Sequence, residues 1–170
     1  MLKVLAKFRV TLGFAVGAVC IWIADPTWRT LAIGGLIALP GESLRLWAAG
    51  HIEKGREITR SGPYQFVRHP LYLGSSIMAA GFAVATGRIE VAFAAAVYMG
   101  LTLFAATRTE ERALDEKFKG EYSAYREGRA KPVTRQFSWQ RVMANREYRA
   151  ATGVVIGLGL LAIKLVASSR

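Results

Sequence analysis

The reactive side chains of this sequence concentrate where a polar stretch meets an apolar one, at Gly62-Pro63-Tyr64-Gln65-Phe66-Val67-Arg68-His69-Pro70-Leu71-Tyr72-Leu73-Gly74. A proline has no N–H to lose in the first turn of a helix, so Pro70 predicts a helix start and leaves Arg68 and His69 just outside it. The free backbone N–H groups of such an end favour an anion. Tyr72 and Gly74 follow within the first turns, one supplying a phenol and an aromatic face, the other room. A second polar group lies at Glu110-Glu111, where Glu111, Leu114 and Phe118 fall at i, i+3 and i+7, so that Glu111 shares the packing face of a helix. A third is the pair Glu42 and Arg45, set at i, i+3 inside an apolar run. Charges at that depth are costly and are expected to pair with each other, either to fix helix packing or to wall a substrate cavity in which Arg45 is available to an anionic group.

Other chemistries lack their residues. The sequence has no Walker phosphate loop and no strand followed by a GxGxxG turn, and two histidines with one cysteine in a separate run make a poor metal set. Cys20 allows no intramolecular disulfide and reads as a small buried hydrophobe.

The elements that must position these residues are apolar. Of the 170 residues 52% are hydrophobic, the mean hydropathy is +0.25, and the charges collect between five apolar runs: Val10 to Ala24, Thr30 to Ala49, Leu71 to Thr86, Val91 to Ala106 and Ala150 to Ile163. Each is close to, or short of, the roughly 20 residues that an upright helix needs to cross a bilayer. The expected fold is one all-α integral membrane domain over residues 1–170, a bundle with about five transmembrane segments. The first run has a basic start like a signal peptide, but Ile21-Trp22-Ile23-Ala24-Asp25-Pro26 is a poor cleavage site, so a retained span is expected. Asp25-Pro26-Thr27 and Thr86-Gly87-Arg88 are short turns, and the second predicts a tight helical hairpin. Gly13 with Gly17, and Gly153 with Gly157, have the spacing of small residues that let helices approach. From Gly120 to Arg149 the chain is basic and aromatic, as in a membrane-surface segment that is partly helical.

If all five runs cross, one side holds every Lys and Arg of the 23 except Arg29, Arg45, Arg88, Lys164 and Arg170. That asymmetry places the N-terminus, the Gly62 to Gly74 stretch and residues 108–149 in the cytoplasm and the C-terminus outside. Retention by positive charge accounts for the net charge of +11 without nucleic acid and makes membrane lipids the expected partner.

Taken in order, Gly62-Pro63-Tyr64, Val67-Arg68-His69-Pro70, Tyr72 and Gly74, then Glu110-Glu111, Leu114 and Phe118, then Glu121-Tyr122 and Tyr125-Arg126 resemble the isoprenylcysteine carboxyl methyltransferase family, within the wider group that includes phospholipid methyltransferases. The similarity covers residues 58–131; the last apolar run, 150–163, lies beyond it. The resemblance implies a multi-span helical enzyme that uses S-adenosylmethionine, with a cytoplasmic cofactor pocket roofed by the segment after the last hairpin helix. It implies that Tyr64, His69, Tyr72, Gly74 and Glu110 bind the cofactor, with Arg68 and Glu111 nearest methyl transfer. A carboxylate acceptor needs no general base and would be oriented by Arg68, whereas an amine or thiol would need one, for which Glu111 is the first choice. The expected acceptor is lipophilic or membrane-partitioned and is methylated at a carboxylate. N-methylation of a phospholipid headgroup and S-methylation of a small thiol are the alternatives among methyltransferases. A membrane reductase using NADPH and a non-catalytic membrane subunit are the other classes. Acceptor choice is expected to reside in residues 1–57 and in the segment after Lys131.

Overall fold

The computed structural model describes residues 13, 15–118, 121–130 and 133–168. Of the first apolar run, residues 15–23 are helical, and residues 10–12 and 14 lie outside the described residues, as do Lys131 and Arg170. All regular structure among the described residues is helical, as expected. The elements are α1 (Trp28–Ala49), a 3-10 turn (Gly62–Gln65), α2 (Pro70–Ala85), α3 (Ile89–Lys117), α4 (Glu121–Arg126), α5 (Trp139–Ala144) and α6 (Tyr148–Ser168).

Local chemistry sets these boundaries. Thr27 caps α1 in a reciprocal pair: its hydroxyl accepts from the Thr30 N–H at 3.1 Å, and the Thr30 hydroxyl accepts from the Thr27 N–H at 2.9 Å. α2 begins at Pro70, where the sequence places it. Thr86, Gly87 and Arg88 join α2 to α3 as the hairpin predicts. Gly87 has φ of 69°, and a Cβ there would fall 2.3 Å from the Asp25 carbonyl oxygen, so this turn admits only glycine.

The most extensive helix contact is not within the hairpin but between α1 and α2. Two reciprocal glycine pairs make it. A Cβ on Gly34 would lie 2.4 Å from the Gly81 carbonyl oxygen and one on Gly81 2.6 Å from that of Gly34. Gly41 and Gly74 repeat the pattern at 2.7 and 2.6 Å. The backbones touch directly, which is how helices gain van der Waals contact where lipid removes the hydrophobic drive between them. The glycine pairs singled out in the sequence behave differently. Gly13 faces the Tyr98 hydroxyl and Gly157 the Phe82 ring, but a Cβ on Gly17 or Gly153 would meet nothing within 4 Å.

Among the described residues two helices, α3 and α6, are long and apolar enough to cross a bilayer. Only 6% and 11% of their apolar windows are buried in the protein, which leaves Phe93, Val97, Leu101 and Phe104 of α3 and Val155, Ile156 and Ile163 of α6 on the outside. Of the other expected spans, α2 is apolar but has 16 residues, and α1 has 22 but carries Pro40, Glu42 and Arg45. Among the described residues, the expectation of about five spans is therefore met by two clear ones, and part of the first expected span lies outside them.

The segment before α6 closes the end of α1. Asn145 Nδ2 donates to the carbonyls of Ala49 and Ile52 at 3.0 and 3.2 Å, and Arg141 Nε to that of Gly50 at 2.7 Å. The Ala49 and Gly50 carbonyls end the helix and have no partner within it, and a cation beside them also suits the helix dipole.

Candidate functional site

Pro70 fixes where α2 begins, and the residues before it are placed by that start. The His69 carbonyl accepts from the N–H groups of Tyr72 and Leu73 at 3.1 and 3.0 Å, so His69 stands at the helix entrance with Tyr72 one turn on. Their rings stack at 5.5 Å between centroids. Both reach toward the charged end of α3, beyond its apolar stretch. The Tyr72 hydroxyl donates to Glu110 at 2.7 Å, and His69 Nε2 lies 3.3 Å from Glu111 Oε1. The Tyr122 hydroxyl of α4 donates to that same oxygen at 3.1 Å, and Arg68 Nη1 stands 3.9 Å away. The structure thus brings Arg68, His69, Tyr72, Glu110 and Glu111 together, and α4 lies over them as a roof. α4 is held by the Tyr125 hydroxyl on the Tyr64 carbonyl at 2.6 Å and by Arg60 paired with Glu121.

Electrostatics follow from these contacts. Partial burial raises the Glu111 carboxyl, but hydrogen bonds from His69 and Tyr122 and the nearby charges of His69 and Arg68 outweigh it and hold the group below the ordinary carboxylate range. Burial, then the charge of Glu111, pushes the Tyr122 phenol well up, so it remains a donor. Burial also pushes Tyr64 up, and its hydroxyl is enclosed without a hydrogen-bond partner among the described residues. A buried polar group left open in this way is costly unless a ligand takes it.

Two cavities meet here. The larger, about 550 Å³, runs between Arg45, Tyr72 and Ser75 on one side and Tyr98, Met99, Thr102, Leu103 and Ala106 of α3 on the other. The smaller, about 220 Å³, lies under Tyr122 and Tyr125 and is walled by residues 57–59 and Leu114. Tyr64, Arg68, His69 and Glu110 line both, together with Ile52 and Lys54. Lys54 was not legible as a site residue, since it precedes the motif stretch in a run of charges.

Expectations change at four residues, of which Glu42 and Glu111 line neither cavity, Glu111 being turned to His69 and Tyr122. Gly74 does not line either cavity; it packs against Gly41 and the Arg45 side chain, so its missing side chain admits α1 rather than a ligand. Arg45 does not pair chiefly with Glu42, whose carboxylate is 4.0 Å away; its Nε lies 2.6 Å from Glu147 Oε1, a residue far along the chain. The i, i+3 spacing holds Glu42 beside Arg45 without bringing its carboxylate onto the guanidinium, whereas Glu147 approaches from outside the helix. Among the described residues there is no cluster of three or more His, Cys, Asp or Glu side chains that would hold a metal.

Residues 8–121 match the family described as phospholipid methyltransferase. The chain is 34% identical over 106 residues to the cobalt-zinc-cadmium resistance protein CzcN of Cupriavidus metallidurans, covering 59% of this chain and 49% of that protein. It is 32% identical over 99 residues to the nickel-cobalt-cadmium resistance protein NccN of Alcaligenes xylosoxydans xylosoxydans, covering 55% and 46%. The matches therefore span about half the length of these curated relatives. No solved structure matches the chain.

Proposed function

This chain belongs to the phospholipid methyltransferase family, within the isoprenylcysteine carboxyl methyltransferase-like group, and we propose that it is a membrane enzyme that transfers a methyl group from S-adenosylmethionine to a carboxylate on a lipophilic acceptor. The observation that carries this reading is the shared wall: Tyr64, Arg68, His69 and Glu110 line both cavities. A two-substrate transfer needs two chambers that meet where the bond is exchanged, because most of its rate comes from holding nucleophile, methyl carbon and leaving sulfur in line.

We assign the smaller chamber to the cofactor and the larger chamber beside α3 to the acceptor, with the shared wall serving both. The residues present fit that cofactor. The aromatic faces of Tyr64, Tyr122 and Tyr125 suit adenine or a sulfonium, Lys54 suits the carboxylate, Glu110 suits ribose hydroxyls or the ammonium, and the Tyr64 hydroxyl is a buried donor with no partner among the described residues. When bound, the cofactor supplies an electrophilic methyl group. The chain's own residues supply orientation. Arg68, with half of its side chain exposed and Glu111 only at 3.9 Å, has N–H groups free to hold an acceptor carboxylate. Glu110 and Glu111 already accept hydrogen bonds from Tyr72, and from His69 and Tyr122, so neither stands ready as a base. That favours an acceptor that arrives ionised over an amine or thiol that must lose a proton. Met99, Leu103 and Ala106 line the larger chamber with apolar surface suited to a lipid-like body. On this reading all five runs cross, and the excess of basic residues on one side favours a cytoplasmic N-terminus and residues 108–149, an outer C-terminus, and lipid against the apolar faces of α3 and α6.

The test incubates purified protein with methyl-labelled S-adenosylmethionine and a membrane extract. Transfer to lipid-soluble product that releases labelled methanol in mild base is expected. Label that resists base moves the acceptor to an amine or thiol, and absence of transfer with saturable NADPH binding replaces the reading by a reductase.

A further inference from the structure

Arg45 and Glu147 lie on the larger chamber away from the shared wall, and Glu147 belongs to the part of the chain beyond the family match. The turn that carries Glu147 is closely fixed. Arg146 adopts a left-handed φ of 57°, Asn145 is bound to the end of α1, and the Glu147 N–H donates to the Val142 carbonyl at 3.2 Å. The turn therefore delivers a buried carboxylate onto Arg45 one helical turn before the end of α1. The Arg45 Nε and Glu147 Oε1 stand 2.6 Å apart, yet neither has a well-aligned hydrogen-bond partner, so this is a close ion pair and not a directed bond. Arg45 Nη1 donates to the Ser75 hydroxyl and, at 3.3 Å, to the Leu71 carbonyl of α2. No hydrogen bond among the described residues uses Nη2.

We propose that Glu147 is a positioning residue for the acceptor: it orients Arg45 so that the remaining prong of the guanidinium takes a neutral oxygen of the acceptor, such as an amide or ester carbonyl. The charge around Arg45 selects the neutral oxygen. Glu147 already balances the one guanidinium, so an acceptor anion would bring a charge that nothing on this wall offsets, whereas a carbonyl needs only a donor. The last helix thereby becomes part of the site, through a residue at its entrance. This inference rests on the assignment of the larger chamber to the acceptor.

The experiment compares two lipophilic carboxylates as probes, N-acetyl-S-farnesylcysteine and S-farnesyl-3-mercaptopropionic acid, which lacks the amide. Their equilibrium affinities are measured on detergent-solubilised wild-type protein, Glu147→Gln and Arg45→Lys. Wild type is expected to prefer the amide probe by about tenfold, the scale of one hydrogen bond, and the preference is expected to collapse toward one in both variants. Glu147→Asp, which keeps the charge, is expected to restore part of it. A preference that survives in Glu147→Gln overturns the proposal, as does a wild-type protein that binds both probes equally or binds neither. Glu147→Gln is nearly isosteric; should it fail to fold, Arg45→Lys and Glu147→Asp decide by the same ratio. Turnover is scored separately: probes that bind with this preference but are not methylated defeat the methyltransferase reading and leave the role of Glu147 standing.

Discussion

One oxygen of Glu111 gathers His69 at 3.3 Å, Tyr122 at 3.1 Å and Arg68 at 3.9 Å, so the entrance of α2, the end of α3 and the roof helix α4 are tied at a single atom. A carboxyl held below its ordinary range contributes stability that is fully present above the unfolded value, about 4.3, and is lost as pH falls through the lower folded value. Tyr122→Phe keeps the ring and removes one donor to a charged acceptor. It is expected to cost about 1.5 kcal/mol near neutral pH and to move the acid limb of thermal stability upward, toward the ordinary carboxylate range. Unfolding temperatures followed from neutral pH to about pH 3 check this, and an acid limb that does not move would show that Tyr122 does not hold Glu111 ionised. The helical face of Glu111 and the place of His69 were legible in the sequence, because both follow from spacing and from the proline. Glu147 was not. Its partner Arg45 lies more than half the chain away, and an isolated glutamate among basic residues reads as a surface charge until the fold buries it.

Among the elements, the proline start of α2 and the Gly87 turn were readable, since each follows from what one residue type can do with its backbone. The α1–α2 contact was harder to see because it depends on four glycines from two separate runs. Gly34 and Gly41 repeat at the same two-turn spacing as Gly74 and Gly81, and that shared period was its only signal. A Cβ at Gly41 would come 2.7 Å from the Gly74 carbonyl oxygen, a backbone atom that cannot swing aside. Gly41→Val is therefore expected to destabilise the protein by about 1–3 kcal/mol, lowering its unfolding temperature and loosening Arg45 against Ser75. Gly17→Ala, where a Cβ meets nothing, is the control expected to match wild type. Equal behaviour of the two variants would show that the close approach of α1 and α2 does not hold the bundle together.

For the molecule as a whole, the runs between charges gave the all-helical class, and two helices carry the length and exposed apolar surface to cross a bilayer. The number of spans was less legible, because buried charges in α1 and the shortness of α2 suit a packed helix pair as well as a span. Reporters fused at Arg88 and after α6 are expected to signal from outside; cytoplasmic signals at both would reverse the orientation drawn from the basic residues. The site itself stands independently of that orientation. Its central claim is that one shared wall serves two tasks: His69 holds the cofactor and Arg68 orients the acceptor. Equilibrium binding of S-adenosylmethionine and single-turnover methyl transfer, measured on His69→Ala and Arg68→Lys, test this together. His69→Ala is expected to weaken cofactor binding by roughly tenfold. Arg68→Lys is expected to slow transfer by roughly tenfold at saturating cofactor, because an ammonium keeps the charge but not the planar two-pronged contact. Wild-type values for both variants in both measurements would contradict the account.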